Sequence, residues 1–351
     1  MPQPAPTRSH RRTLGTAVGL AVAAALTLGA CSTAAGVNSA DPVEPGQRVS
    51  IVASTNVWGS VAAAVAGDRA DVVSIVSDPA ADPHSYEASP RDAARLTDAH
   101  LVVYNGGGYD GFLDDILASM PDKSTVDAFS LHGSATDLHG EHSPAAEAAP
   151  AAETAPAAEE HPEADGHDHD HDHGGVNEHV WYDIATVDAV AQRIATELAT
   201  LDPTNAAAYA ANADDFHDEL HRITAVTDSI AKAHPQAPVA QTEPIAHYLL
   251  AAADLHDQTP EDFTRAIEEG NDPPPAAIAA TRELLADKKV DALIYNSQTQ
   301  DRVTQSVRTA AESAGIPVVE VSETLPEGVT YVQWQAETAA ALAAALDGST
   351  R

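Results

Sequence analysis

Cysteine is almost absent: Cys31 is the only one in 351 residues. No disulfide can form within the chain, and a thiolate metal site is excluded with it. Basic residues are scarce too, with 18 Lys and Arg against 53 Asp and Glu, giving a formal charge of −35. Such a field repels nucleic acid and anionic lipid and draws in cations. The signatures of several enzyme classes are also missing. There is no Gly-x-Ser-x-Gly elbow and no Walker-type phosphate loop, and Gly106-Gly-Gly108 stands without the rest of a nucleotide fingerprint.

The chain opens with an address. The first thirty residues carry Arg8, Arg11 and Arg12 and no acid, and an apolar stretch runs from Leu14 to Leu28. That length is short for a spanning helix and fits a signal-peptide core. It closes on Leu28-Gly-Ala-Cys31, which resembles a bacterial lipoprotein signal. Cys31 is then the lipidation point, and the mature protein hangs by acyl chains on the extracytoplasmic face of the cell membrane. Loss of the three arginines takes the mature charge to −38. The Arg11-Arg12 pair leaves both general secretion and twin-arginine export open.

Beyond this signal peptide (1–30) and a small, polar, Pro-containing tether (31–48), strand and helix patterns alternate. The N-terminal half reads as strands over 48–54, 71–76, 101–104 and 125–127, with helices running to Gly67 and from Tyr109 to Met120. A further helix ends at Leu201. The C-terminal half reads as strands over 238–241, 292–295 and 317–321, with helices over 244–253, 275–287, 302–314 and 331–346. Gly315 fits as a helix stop. This is an α/β pattern of two doubly wound parallel sheets, one in an N-terminal lobe (49–201) and one in a C-terminal lobe (236–351). Between them, Asp202-Pro203 reads as the cap and first turn of a linker helix (202–235), about 45 Å long at 1.5 Å per residue.

Regularity stops from 132 to 177, where Pro, Ala, Glu and His dominate, and this insertion reads as disordered. Inside it, His161, His167, His169, His171 and His173 are interspersed with carboxylates, and almost nothing there can be buried. A solvated acidic linker or a tag would be the plain reading. The internal position and the interspersed Asp argue against a tag, and imidazole is a common ligand for zinc and similar ions. The tract reads as an auxiliary metal-gathering loop.

Four stretches fall at strand ends or loops, where α/β folds place ligands. They contain His84, His179, Glu243 and Glu323. Read singly, the histidines are ordinary loop histidines and the glutamates are helix N-terminal acids favoured by the dipole. Together, two imidazoles and two carboxylates carry a charge of about −2 and suit a divalent cation over Cu(I).

The stretches Asp82-Pro-His-Ser-Tyr-Glu-Ala-Ser-Pro-Arg-Asp92 and Glu178-His-Val-Trp-Tyr-Asp183 strongly resemble the substrate-binding lipoproteins of zinc and manganese ABC transporters. The resemblance spans essentially the whole mature chain. It implies two lobes joined by a rigid long helix, with Zn2+ or Mn2+ held between them as transported ligand and an ABC permease as partner. It also implies His84 and His179 as ligands from the first lobe and Glu243 and Glu323 from the second. Zinc members commonly carry a third histidine at the Glu243 position, whereas manganese members carry a carboxylate. Here Glu178 replaces the usual Pro, and Tyr109 lies in a loop that often bears an acid.

Two other classes compete. His217-Asp-Glu-Leu-His221 places two histidines at zinc-peptidase spacing, but Asp218 occupies the position of the general-base glutamate, so the pair reads as a polar helix face. Alternatively, the histidine tract is itself the active part of a surface metal buffer or adhesin.

Overall fold

The computed structural model describes Val43, residues 47–133 and residues 176–348. Cys31, the stretch read above as a signal peptide (1–30) and the histidines from His161 to His173 lie outside the described residues.

In the first lobe, β1 (Val49–Thr55), β2 (Ala70–Val76), β3 (Leu101–Tyr104) and β4 (Thr125–Asp127) alternate with α1 (Asn56–Ala66), α2 (Pro90–Asp98), α3 (Asp114–Ala118) and α4 (Ala128–Leu131), and α5 (Ile184–Leu201) follows. After α6 (Ala206–Ala233), the second lobe repeats the theme. Its elements are β5 (Pro238–Gln241), α7 (His247–Ala252), β6 (His256–Asp257), α8 (Glu261–Glu268), α9 (Pro275–Ala286), β7 (Ala292–Asn296), α10 (Arg302–Ala314), β8 (Val318–Val321) and α11 (Tyr331–Gly348).

Both sheets are parallel, with orders β2-β1-β3-β4 and β6-β5-β7-β8. In register, Val52 pairs with Val73 and Val102, and Ile294 pairs with Val319. β1 is buried along nearly its whole length, as a parallel strand covered on both faces must be. Each sheet order reverses beside its first strand, and the loops leaving the carboxyl ends there frame a ligand crevice.

Helix ends follow local chemistry. Ser89 and Asp92 form a reciprocal capping box around Pro90 at the start of α2, and Asp301 and Thr304 do the same for α10. Gly315 stops α10 at φ 72°. The linker helix differs from the sequence expectation at its start. Pro203–Asn205 form a tight 3-10 turn, and α6 proper begins at Ala206. The Asp202 carboxylate is spent on Asn205 (2.6 Å) and Tyr209 (2.9 Å) instead of capping the helix.

α6 has 28 residues and spans about 42 Å. Its buried residues Tyr209, Ala213, Phe216, Leu220, Ile223, Thr227 and Ile230 recur at alternating spacings of four and three, one continuous stripe. That stripe belongs to an apolar core containing Val49 and Ile51 of the first sheet and Val239 and Ile294 of the second. The lobes therefore share one core, and the described residues form a single compact unit. Among the described residues, no helix is long and apolar enough to cross a membrane.

The helix expected from Tyr109 to Met120 does not form as such. Gly106, Gly107 and Gly108 all adopt positive φ, a 3-10 turn follows at Gly111–Leu113, and α3 covers only Asp114–Ala118. Asp110 folds back to accept from the backbone N–H of Asn105 (2.6 Å) and Gly106 (2.9 Å). The glycine run is thus a tight turn that drives Tyr109 inward. A Cβ at Gly107 would lie 2.5 Å from the Phe129 ring, at a φ of +67° that side chains rarely adopt. We expect Gly107→Ala to cost about 1–3 kcal/mol of stability through overpacking and backbone strain. Urea unfolding with an unchanged m-value is the check.

Candidate metal centre

The loop after β2 is built around two aspartates. Asp82 Oδ1 accepts from the His84 backbone N–H at 2.9 Å, turning the chain so that His84 faces inward. Asp92, at the far end of the stretch, accepts from the Tyr86 hydroxyl (3.1 Å), the Ser89 N–H (3.0 Å) and the Ser89 hydroxyl (2.5 Å). Burial alone would raise the Asp92 pKa, but these bonds and nearby Arg95 outweigh it and hold it low. The clustered motif residues therefore shape the loop that carries His84.

His179 is buried and sits just before a 3-10 turn at Val180–Tyr182. Asn177 Oδ1 lies 2.9 Å from both its backbone nitrogen and its Nδ1. Nδ1 donates to that carbonyl oxygen, leaving Nε2 as the basic nitrogen. Asn105, at the end of β3, anchors the same segment by donating to the Glu178 carbonyl at 2.9 Å. His132 and Asn177, expected in the irregular insertion, belong to the folded body. His132 Nδ1 lies 3.0 Å from Asp183 Oδ2, and Asn177 donates to the Pro244 carbonyl at 2.8 Å.

From the second lobe come Glu243, after β5, and Glu323, after β8, both buried. Between them stands Asn296, the last residue of β7. Its Nδ2 donates to Glu243 Oε2 at 2.5 Å and to Glu323 Oε1 at 2.9 Å. The remaining oxygen of Glu243, Oε1, is buried without a conventional hydrogen-bond partner. Glu323 Oε2 accepts from the Tyr109 hydroxyl at 3.3 Å, a bond between the lobes. Tyr109 meets His84 edge-on at 4.7 Å between ring centroids.

His84, His179 and Glu323 each offer a ligand atom within 4.8 Å of the others, and His84 Nε2 lies 3.7 Å from Glu323 Oε2. Bonds of 2.0–2.2 Å in tetrahedral geometry need ligand atoms about 3.3–3.6 Å apart, so a small contraction closes this set on an ion. Glu243 falls outside that group but is no more than two hydrogen-bond lengths from Glu323 through Asn296. A second group shares His179: Glu178 precedes it in sequence, and Glu268 of α8 brings Oε1 to 3.8 Å from its Nδ1. Neither Asn296 nor Glu268 was singled out from sequence. A strand-terminal Asn and one acid among many have no local signature.

Charge in this space is suppressed. Burial depresses the His84 pKa against the pull of Asp82, and it depresses His179 further, helped by His84 and His247. Both imidazoles are therefore neutral with lone pairs available. Burial raises Glu243, and burial with the charges of Glu243 and Asp82 pushes Glu323 up to about 8. Glu268 reaches about 8 for the same reasons, burial first and then Glu178 and Glu243.

Two parallel α/β lobes on a long helix, with imidazoles and carboxylates facing one another between them, define a substrate-binding protein of the metal-transporter class, not an enzyme. Residues 51–345 match the family described as zinc-uptake complex component A, periplasmic (ZnuA), and the chain belongs to that family. A manganese ABC transporter substrate-binding lipoprotein of Streptococcus pneumoniae, PsaA, is 22% identical over 278 residues, covering 78% of this chain and 79% of that protein. The manganese-binding lipoprotein MntA of Halalkalibacterium halodurans is 26% identical over 180 residues, 51% of this chain and 49% of that one. Among solved structures, the periplasmic zinc-binding protein TroA of Treponema pallidum superposes with a TM-score of 0.65 at 15% identity, covering 86% of this chain and 99% of that one. At that identity the superposition speaks for the fold alone.

The raised Glu323 pKa has a stability consequence. A carboxyl whose pKa rises from 4.5 to about 8 on folding stabilises the metal-free protein fully below 4.5. That contribution drains away as pH climbs through about 8. Chelator-treated Glu323→Gln protein, which cannot ionise there, should show a flatter melting temperature against pH between those limits than the unsubstituted chain. Parallel curves would place the buried charge elsewhere.

Proposed function

We propose that this chain is the extracytoplasmic receptor of an ABC importer, taking up one divalent metal ion between its lobes and delivering it to a membrane permease. His84, His179, Glu243 and Glu323 are the proposed ligands. The reading rests on one observation above all: neutral imidazoles and buried carboxylates converge from both lobes, with His179, Glu243 and Glu323 buried and His84 at the rim. The unpartnered Oε1 of Glu243 adds a donor whose need an ion would meet. A site closed by four protein ligands reserves no position for an attacking water and suits transport over hydrolysis.

Zinc is the first choice, supported by the two imidazoles and by the histidine tract, which would gather ions weakly through His161, His167, His169, His171 and His173 and pass them inward. Manganese is the second reading. The paired carboxylates favour it, as do the manganese-named relatives. In either case the ion replaces the proton on Glu323, so apparent affinity falls as pH drops below about 8, where Glu323 holds it.

Removing residues 161–175 should leave one tight site. A ligand that binds only the native state stabilises it by about 4 kcal/mol at a thousandfold excess over Kd, so the metal-induced rise in melting temperature should survive the deletion. His84→Ala or His179→Ala in that background should abolish it. A shift lost on deletion alone would make the tract the principal binder and the protein a surface buffer. Competing zinc and manganese titrations of the same shortened protein decide the cargo.

The family relatives named as lipoproteins support a membrane-anchored location, and Cys31 is the proposed acylation point. Cys31→Ser should yield unprocessed or soluble protein without lipid. Lipid still present by mass spectrometry would overturn the anchor.

A further inference from the structure

We infer that His217 and His221 of α6, supported by Asp188 of α5, form a second metal site for an imidazole-preferring divalent ion such as Zn2+, Ni2+ or Cu2+. It shares no residue with the interlobe centre. The Nε2 atoms of the two histidines lie 2.9 Å apart, with their rings nearly perpendicular at 86°. The contact is a hydrogen bond between the two rings, and since two metal–nitrogen bonds of 2.0–2.1 Å subtending 90–109° separate their nitrogens by about 2.9–3.4 Å, an ion that displaces the shared proton fits this spacing.

The support behind the pair is built rather than accidental. Asp188 is largely buried, and its Oδ1 lies 3.1 Å from Nδ1 of His217, an oblique contact that leaves this oxygen without an aligned hydrogen bond. A carboxylate on the far nitrogen draws the ring proton to Nδ1 and presents Nε2 as a lone pair. A small rotation of the ring toward an ion would complete the bond that Asp188 lacks. Beside the pair, between α5 and α6, is a cleft of about 10 Å3 lined by Asp188, His217, Leu220 and His221, about the volume of one water-sized body. A merely solvated helix face requires neither two imidazoles locked nitrogen to nitrogen nor a buried acid held against one of them.

The spacing resembles that of a zinc peptidase, but Asp218 stands where the general-base glutamate would be, so hydrolysis is not part of the inference. Two protein donors leave the remaining positions to water, giving a weaker and faster-exchanging site than one closed by four ligands. The donors are nitrogen only, which sets Mn2+ apart, since that ion prefers oxygen.

The test is carbethoxylation of histidines in the full-length protein by diethylpyrocarbonate, with modification of each histidine read from its own peptide by mass spectrometry. This separates the α6 pair from the tract and from the interlobe ligands. Zn2+ at ten times its dissociation constant should slow modification of His217 and His221 about tenfold by mass action. Mn2+ at the same concentration should leave both rates unchanged. His221→Ala, at an exposed position, should abolish protection of His217, Asp188→Asn should weaken it, and His84→Ala should leave it intact. Unaltered rates in zinc would overturn the inference, as would protection of His217 that persists in both His221→Ala and His221→Gln.

Discussion

Two buried carboxylates that share one amide, Glu243 and Glu323 on Asn296, set the terms for the rest of this site. Like charges held that close in a dry place cannot both be ionised without a counter-charge. Asn296 relieves part of the problem by donating to each, and the remaining cost appears as a proton retained on Glu323. The site therefore waits with its imidazoles neutral and a proton on Glu323, and on the proposed reading a divalent cation restores the charge balance that water cannot. His84, Glu243 and Glu323 are carried on loops at the carboxyl ends of strands, and His179 joins them from the segment just before the turn at Val180–Tyr182.

Such a site requires the lobes to be held in register. The core is continuous through α6, and polar bonds cross near the site. Asn56 and Leu325 exchange a pair of backbone–side-chain bonds at 3.0 and 2.9 Å, the Tyr182 hydroxyl donates to the Ser322 carbonyl at 3.0 Å, and that of Tyr331 to the Trp181 carbonyl at 2.7 Å. A shared apolar core resists wide opening, because separating it would expose packed surface. On the proposed ligand set, uptake and release would then involve loop rearrangement around His84, whose ring is the most exposed of the four, more than one lobe swinging from the other.

Acidity is organised in layers. The overall field collects cations without selecting among them, since exposed carboxylates are screened by salt within about 10 Å. Selection needs imidazole and burial together, and these occur between the lobes and, more openly, on α6. There the acid is placed behind the imidazole, not beside it.

The fold class was legible in the chain because buried parallel strands and their crossover helices are local patterns. The strand Pro238–Gln241 and the helix Arg302–Ala314 stand with the bounds the residues predict, and Gly315 ends the helix where a left-handed residue is required. His84, His179 and Glu323 were legible as a set through their motifs, and the fold brings them together. Local patterns misled where backbone conformation served the site. The run after Gly108 has helical composition, yet three positive φ angles and the inward fold of Asp110 turn it into the loop that seats Tyr109 against His84 and Glu323. Asn296 and Glu268 had no signature at all, because their roles arise from residues 53 and 89 positions away, Glu243 just beyond a neighbouring strand of the same sheet and His179 from the other lobe, which only tertiary packing makes neighbours. Sequence alone determined which groups could bind a metal and which elements would carry them. Tertiary structure decided which carboxylates share an amide, which imidazole nitrogen is free, and which histidines face one another, since burial and distance act through space and not along the chain.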